Sequence, residues 1–145
     1  MSTIRLLTFG TPDYDASVAL RFEVLRKPLG LTYTVEQLSE EWSDLHLASF
    51  DAAENIIGIL LLTPLNEQEV KMRQVAIAPD QQGRGLGSKL VLASEALAKS
   101  LEFKKMTLHA RETAVPFYLR LGYQIVGDKF EEVGIPHFKM EKAEL

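Results

Sequence analysis

The chain has 145 residues, 46% of them apolar and 25% charged. That length suits one domain over residues 1–145, and the composition excludes a disordered chain. Cysteine is absent, which excludes a disulfide framework and thiolate chemistry. Sixteen Lys and Arg against twenty Asp and Glu leave a formal charge of −4, and no stretch is densely basic. A nucleic-acid partner is therefore not expected. The longest apolar run, residues 56–62, contains Gly58 and falls far short of a membrane span. No signal pattern opens the chain, so a cytoplasmic protein without a membrane partner is expected.

In chain order, residues 4–9 suit a short edge strand. Asp13 or Asp15 is the expected N-cap of a helix over residues 15–27. Its buried face would carry Ala16, Leu20 and Val24, and Pro28 with Gly30 would end it. Arg21 and Arg26 would then lie on a surface helix. Thr34 and Gln37 have capping-box spacing and open a short helix towards Trp42, with Glu40 and Glu41 as capping or solvated charges. Residues 45–50, 56–63 and 70–78 read as strands joined by turns at 51–55 and 64–68.

The strand at 70–78 changes phase. Val70 and Met72 alternate on even positions, whereas Val75 and Ile77 alternate on odd ones. One extra residue would reconcile the two sets, which predicts a β-bulge near residues 73–75. A glycine-rich turn at 79–87 precedes an amphipathic helix carrying Leu86, Leu90, Ala93, Leu97 and Leu101. Residues 104–110 form a strand with Met106 and Leu108 on one face and Thr107 and His109 on the other. A helix over 113–121 ends at Gly122, and strands at 123–129 and 135–141 follow, with Gly134 between them. This order implies an α/β (α+β) fold with a mixed sheet of about seven strands.

The strongest chemical signal is Gln82-Gly83-Arg84-Gly85-Leu86-Gly87-Ser88, after a strand and at a helix start. Outward backbone N–H groups and the helix dipole make such a turn an anion site, and glycines let a phosphate approach the backbone. The order Gly87-Ser88-Lys89 does not match a Walker loop, which needs Gly-Lys-Ser or Gly-Lys-Thr. The glycines also do not fit a dinucleotide fingerprint at the first strand of a βαβ unit.

Gln82-x-x-Gly85-x-Gly87 resembles the acetyl-coenzyme A signature of the GCN5-related N-acetyltransferases, the GNAT superfamily. Val75-Ala76-Ile77-Ala78-Pro79 resembles that family's fourth strand. Ala114-x-x-Phe117-Tyr118-x-x-x-Gly122-Tyr123 resembles its second motif. Glu131-Glu132-Val133-Gly134-Ile135-Pro136-His137 resembles the small bacterial ElaA-like branch, as Arg21-x-x-Val24 does more weakly.

The resemblance implies the GNAT fold, with helices on both faces and a cleft where the fourth and fifth strands splay. It implies acetyl-CoA as co-substrate, with no metal. The pyrophosphate would rest on Gln82, Gly83, Arg84, Gly85, Leu86, Gly87 and Ser88, and the pantetheine arm on Val75, Ala76 and Ile77. The thioester carbonyl would be polarised by a bulge N–H. Tyr118 falls at the position of the family's thiolate-facing tyrosine, and a phenol that stays protonated at neutral pH can give its proton to sulfur. A half-buried structural tyrosine is the plain alternative.

The base is not legible. The fourth strand reads Lys71-Met72-Arg73-Gln74 where many members carry a glutamate, and His109, His137 or a water relay remain open. The resemblance implies a small-molecule or peptide amine of unspecified identity as acceptor, attacking directly in a ternary complex. A homodimer through the last strand is also compatible with the family. A non-catalytic acyl-CoA sensor is the competing reading.

Overall fold

The computed structural model describes residues 2–145. The chain divides into two compact units, Met1–Thr63 with Gln74–Ser94, and Pro64–Arg73 with Glu95–Leu145. Two elements are shared between them, β4 (Glu69–Ile77) and α3 (Leu86–Ser100). Eight strands form a mixed sheet among the described residues, one more than the sequence suggests.

In the first unit the strand order is β1 (Thr3–Leu7), β2 (Leu45–Phe50), β3 (Ile56–Pro64), then β4. β1 runs antiparallel to β2 with Thr3 opposite Phe50, and β2 antiparallel to β3 with Leu45 opposite Leu62. Helix α1 spans Pro12–Arg21. Its N-cap is Thr11, not Asp13 or Asp15. The Thr11 hydroxyl accepts from the Tyr14 N–H, and Pro12 takes the first turn, where its missing N–H costs nothing. The aspartates sit inside that turn, where the helix dipole favours them.

The face that α1 buries also departs from expectation. Tyr14, Ser17 and Arg21 are buried and Ala16 is exposed. A π turn at Phe22–Arg26 and a 3-10 turn at Lys27–Leu29 follow, and Gly30 ends the segment at φ +69°. Helix α2 (Val35–Ser39) opens with the expected capping box, Thr34 Oγ1 accepting from the Gln37 N–H at 3.1 Å and Gln37 Oε1 from the Thr34 N–H at 2.9 Å. Trp42 is solvated, 70% exposed, but Glu41 is buried.

The core of this unit gathers Ala48, Phe50, Ile59, Leu61 and Ala76, with Leu20 and Val24 packed against it. Gly58 lets neighbours approach β3 closely. A Cβ there would lie 3.1 Å from Ile77 Cδ1 and 3.4 Å from Leu90 Cδ2.

The predicted bulge is present. The Leu65 N–H bonds to the Glu69 carbonyl, and the Ala78 N–H to the Ile57 carbonyl. Between these rungs β3 recedes by eight residues while β4 advances by nine, so β4 carries one extra residue. The left-handed backbone falls at Gln74, φ +56°. Val70, Met72 and Ala76 are buried, whereas Val75 and Ile77 are half-buried.

In the second unit the order is β4, β5 (Lys105–Arg111), β8 (Ile135–Lys142), β6 (Gln124–Ile125). β7 (Phe130–Glu132) also pairs with β8. β4 and β5 are parallel over Glu69–Met72 and Lys105–Leu108, and β5 and β8 are antiparallel. The single strand expected over residues 123–129 is only two residues long, because Gly127 turns the chain at φ +82°. β7 then joins β8 through Val133-Gly134, a two-residue hairpin with both φ values positive. Helix α4 spans Val115–Arg120. Among the described residues, no helix is long and apolar enough to cross a membrane.

Candidate functional site

The glycine-rich turn is built by local rules. A 3-10 turn at Pro79–Gln81 leads out of β4, and Gly83 and Gly85 take φ values of +79° and +78°. These left-handed positions require glycine for the backbone, since an added Cβ would meet nothing within 4 Å at either one. The Gln82 side chain donates back to the Ile77 carbonyl at 3.0 Å and closes the turn.

The Lys89 N–H bonds to the Gly85 carbonyl, which places the start of α3 just after Gly85. The N–H groups of Leu86, Gly87 and Ser88 then lie in the first turn and lack a carbonyl one turn earlier. No acidic side chain occupies that turn to offset the helix dipole. Leu86 is buried, so it offers its backbone alone, whereas Arg84 is exposed. Arg84 and Lys89 line an open groove of about 520 Å³ beside the turn, with Gln81, Asp51 and Ser2. The Asp51 carboxylate is committed to the Ala53 and Asn55 N–H groups, which hold it below the usual carboxylate range. Val75 and Ile77 stand half-buried on β4, and Ala76 is part of the core.

Arg21 is not a surface residue. It is fully buried and forms a two-pronged ion pair with Glu41, Nη1–Oε1 2.8 Å and Nη2–Oε2 2.6 Å. The Tyr14 hydroxyl donates to Glu41 Oε1 at 2.8 Å. Burial pushes the Glu41 carboxyl up, but Arg21 and the Tyr14 hydroxyl outweigh it and leave it lowered. A π turn brings residues five apart to one side of a helix. Arg21 and Arg26 accordingly both lie over the Tyr33 ring, at 4.8 and 4.5 Å. The Tyr33 hydroxyl bonds to Gln74 Oε1 at 2.5 Å, tying this network to the bulge. The sequence carries an Arg–Glu pairing signal only if Glu41 is recognised as buried, which its polar neighbours conceal.

In the second unit Tyr118 is 7% exposed, with its ring edge-on to Phe117 and Tyr123. Burial alone pushes its phenol up to about 12. Tyr14 and Tyr123 also have raised pKa values, but their hydroxyls are held by Glu41 and Glu95. No charged side chain contributes to the Tyr118 shift, so a neutral proton donor is retained there at physiological pH.

The two histidines left open by the sequence meet one carboxylate. His109 Nδ1 is 3.0 Å from Glu132 Oε1, and His137 Nε2 is 3.6 Å from Oε2. The sequence contains Glu132 but cannot place it there, because the β7–β8 hairpin creates the contact. Arg73 is half-buried and engaged by other groups. Among the described residues, no cluster of three His, Cys, Asp or Glu side chains could hold a metal ion.

Residues 24–144 match the family model of the acetyltransferase (GNAT) domain. The chain belongs to the GNAT acetyltransferase family. Its fold is shared with a Lactobacillus plantarum protein (TM-score 0.88, 25% identity, 99% of each chain). Escherichia coli ElaA has the same fold (TM-score 0.80, 18% identity, 98% of this chain and 99% of the other). So does a GNAT family acetyltransferase from Elizabethkingia anophelis with acetyl-CoA bound (TM-score 0.76, 21% identity, 99% and 98%). The chain is also 33% identical over 98 residues to a UPF0039 protein of Schizosaccharomyces pombe, covering 66% of this chain and 65% of that protein's length.

Proposed function

We propose that residues 1–145 act as a single N-acetyltransferase domain that transfers acetyl from acetyl-CoA to a primary amine by direct attack. The observation that carries the reading is Tyr118, a buried phenol on α4 next to Phe117. Such a group holds its proton at pH 7 and can give it to a departing thiolate. The glycine turn supports the coenzyme half. Backbone N–H groups of Gly83–Ser88 would take the pyrophosphate, with Arg84 adding charge and Gln82 bracing the loop.

Val75, Ala76 and Ile77 would carry the pantetheine arm, and an N–H at the Gln74 bulge would polarise the thioester carbonyl. The family's description as acetyltransferases, and the acetyl-CoA in the Elizabethkingia protein of the same fold, support that co-substrate. The acceptor is a small-molecule or peptide amine, and the site of action is the cytoplasm.

The test is thiol release from acetyl-CoA with spermidine, L-lysine and a peptide N-terminus as acceptors, on the wild type and Tyr118→Phe. Amine-dependent release that falls by about 10²-fold in the variant, with coenzyme affinity retained, is expected. Equal rates would remove Tyr118 as the acid. Coenzyme binding without release by the wild type would favour an acyl-CoA sensor.

A further inference from the structure

The cluster on the β4, β5, β7 and β8 strands of the second unit has a geometry that the reading above does not use. His109 is the first β5 residue beyond the last β4–β5 pair, Met72 with Leu108. Glu132 ends β7, and the Val133-Gly134 hairpin sets it opposite Ile135. Val133 is β-branched yet sits at φ +48°, so backbone strain is held next to this carboxylate. The Phe130 ring packs against both imidazoles, 5.0 Å from His109 and 5.9 Å from His137, centroid to centroid.

The hydrogen bonds assign the ring nitrogens. The Nδ1 of His109 has room for one proton or one lone pair, and the carboxylate at 3.0 Å takes it as N–H. A neutral His109 therefore keeps its lone pair on Nε2. Its side chain is 29% exposed. His137 is 5% exposed, and its Nδ1 is taken by the Ile135 carbonyl at 2.9 Å, so it is the less accessible of the two.

Three cationic side chains and one carboxylate surround His109. Lys71 Nζ on β4 is 3.5 Å from Nδ1, and Lys139 lies opposite on β8. Glu132 faces the ring from β7, and Arg73 bears on the same group through Lys71. Burial, then Arg73, holds the Lys71 ammonium below its usual range. Glu132, 3.0 Å from Nδ1, is the carboxylate placed to hold the imidazolium once it forms.

We propose that His109, oriented by Glu132, is the general base that deprotonates the acceptor ammonium. The proposal rests on the transferase reading above. An R–NH3+ group gives one proton to Nε2 of His109 and becomes R–NH2. Its lone pair forms the C–N bond at the thioester carbon, and the C–S bond breaks with its electrons on sulfur. Tyr118 gives its proton to the thiolate, the second proton leaves the nitrogen for solvent as the adduct collapses, and solvent returns one proton to the Tyr118 phenolate. One net proton leaves through the His109 imidazolium to solvent. Glu132 is a positioning residue in this scheme.

The test uses the full chain as wild type, His109→Gln and Glu132→Gln. Thiol release with spermidine, L-lysine and a peptide N-terminus is followed from about pH 6 to about pH 10, around the unperturbed histidine and amine values. Acetyl-CoA affinity and the melting temperature are measured alongside. His109→Gln is expected to lower kcat/KM by about 10²- to 10³-fold at pH 7, with coenzyme affinity unchanged. That deficit should shrink roughly tenfold per pH unit, as the free amine reaches its neutral form near pH ~10. Glu132→Gln should move the acidic limb of the profile to lower pH, because the imidazolium loses its carboxylate.

If wild type turns over and His109→Gln matches it at every pH, the base assignment falls and the transferase reading stands. If His109→Gln only melts earlier, and Glu132→Gln superimposes on the wild-type profile, the cluster is a structural tie and the proposal is overturned. If the wild type binds acetyl-CoA and releases no thiol with any of the three amines, the transferase reading falls and takes this proposal with it.

Discussion

Arg21 and Glu41 meet in a buried two-pronged ion pair across 20 residues of sequence, with Glu41 also accepting from Tyr14 and presenting its backbone carbonyl to His46 Nε2 at 2.9 Å. Two charges out of water hold together here because three donors meet the carboxylate, the two Arg21 Nη groups and the Tyr14 hydroxyl, although Arg21 Nε is left without a partner among the described residues. The pair joins α1 to the segment after α2, and through Tyr33 it reaches the β4 bulge.

Removing one partner leaves the other charged and buried. Glu41→Ala is expected to cost about 3–5 kcal/mol, whereas a paired apolar replacement of both residues should cost far less. Urea unfolding of the single and double variants measures the difference. The Glu41 carboxyl is lowered in the folded state, so its contribution is present above the unfolded value near pH ~4.3 and is lost as pH falls through the folded one. Glu41→Gln should therefore flatten the acid limb of the stability curve, and an unchanged limb would contradict the assignment.

Gly85 is held at φ +78° with open space where a Cβ would go. Gly85→Ala should thus lose about 1–2 kcal/mol from backbone conformation and not from a clash. The alanine can relax by turning its N–H groups away from the anion. Acetyl-CoA affinity should drop at least fivefold, roughly 1 kcal/mol. Calorimetric titration with the coenzyme decides this, and an unchanged affinity would remove the turn from the phosphate site.

Gln74 pairs a left-handed backbone with a side chain tied to Tyr33. Gln74→Gly relieves the first and forfeits the second, so its stability should stay within about 0.5 kcal/mol of wild type. Gln74→Val keeps neither benefit, because a β-branched residue is costly at positive φ. If the bulge polarises the thioester, the glycine variant should retain most of its kcat and the valine variant should lose most of it. Steady-state thiol release with saturating acetyl-CoA compares the two, and equal rates would detach the bulge from catalysis.

Local signals in the sequence settled a large share of the fold. The Thr34–Gln37 capping box, the strands at 45–50 and 56–63, the α3 start and the Gly30 stop all leave signals within a few residues of sequence. The bulge was also legible, since a phase slip in a β-strand leaves a mark in the hydrophobic alternation itself. The glycine turn and the Phe117-Tyr118 pair were legible as motifs, because the φ values of the turn demand glycine and helix α4 carries the tyrosine.

Tertiary structure decided the rest, and the reason is burial of charge. Arg21 reads as solvated until Glu41 arrives from 20 residues away, and α1 rotates its polar stripe inward to meet it. His109, Glu132 and His137 are spread over 29 residues, and only the hairpin between β7 and β8 places one carboxylate against both imidazoles. Hydrophobic periodicity records which face of an element is apolar. It carries no information about which distant charge will neutralise a buried one.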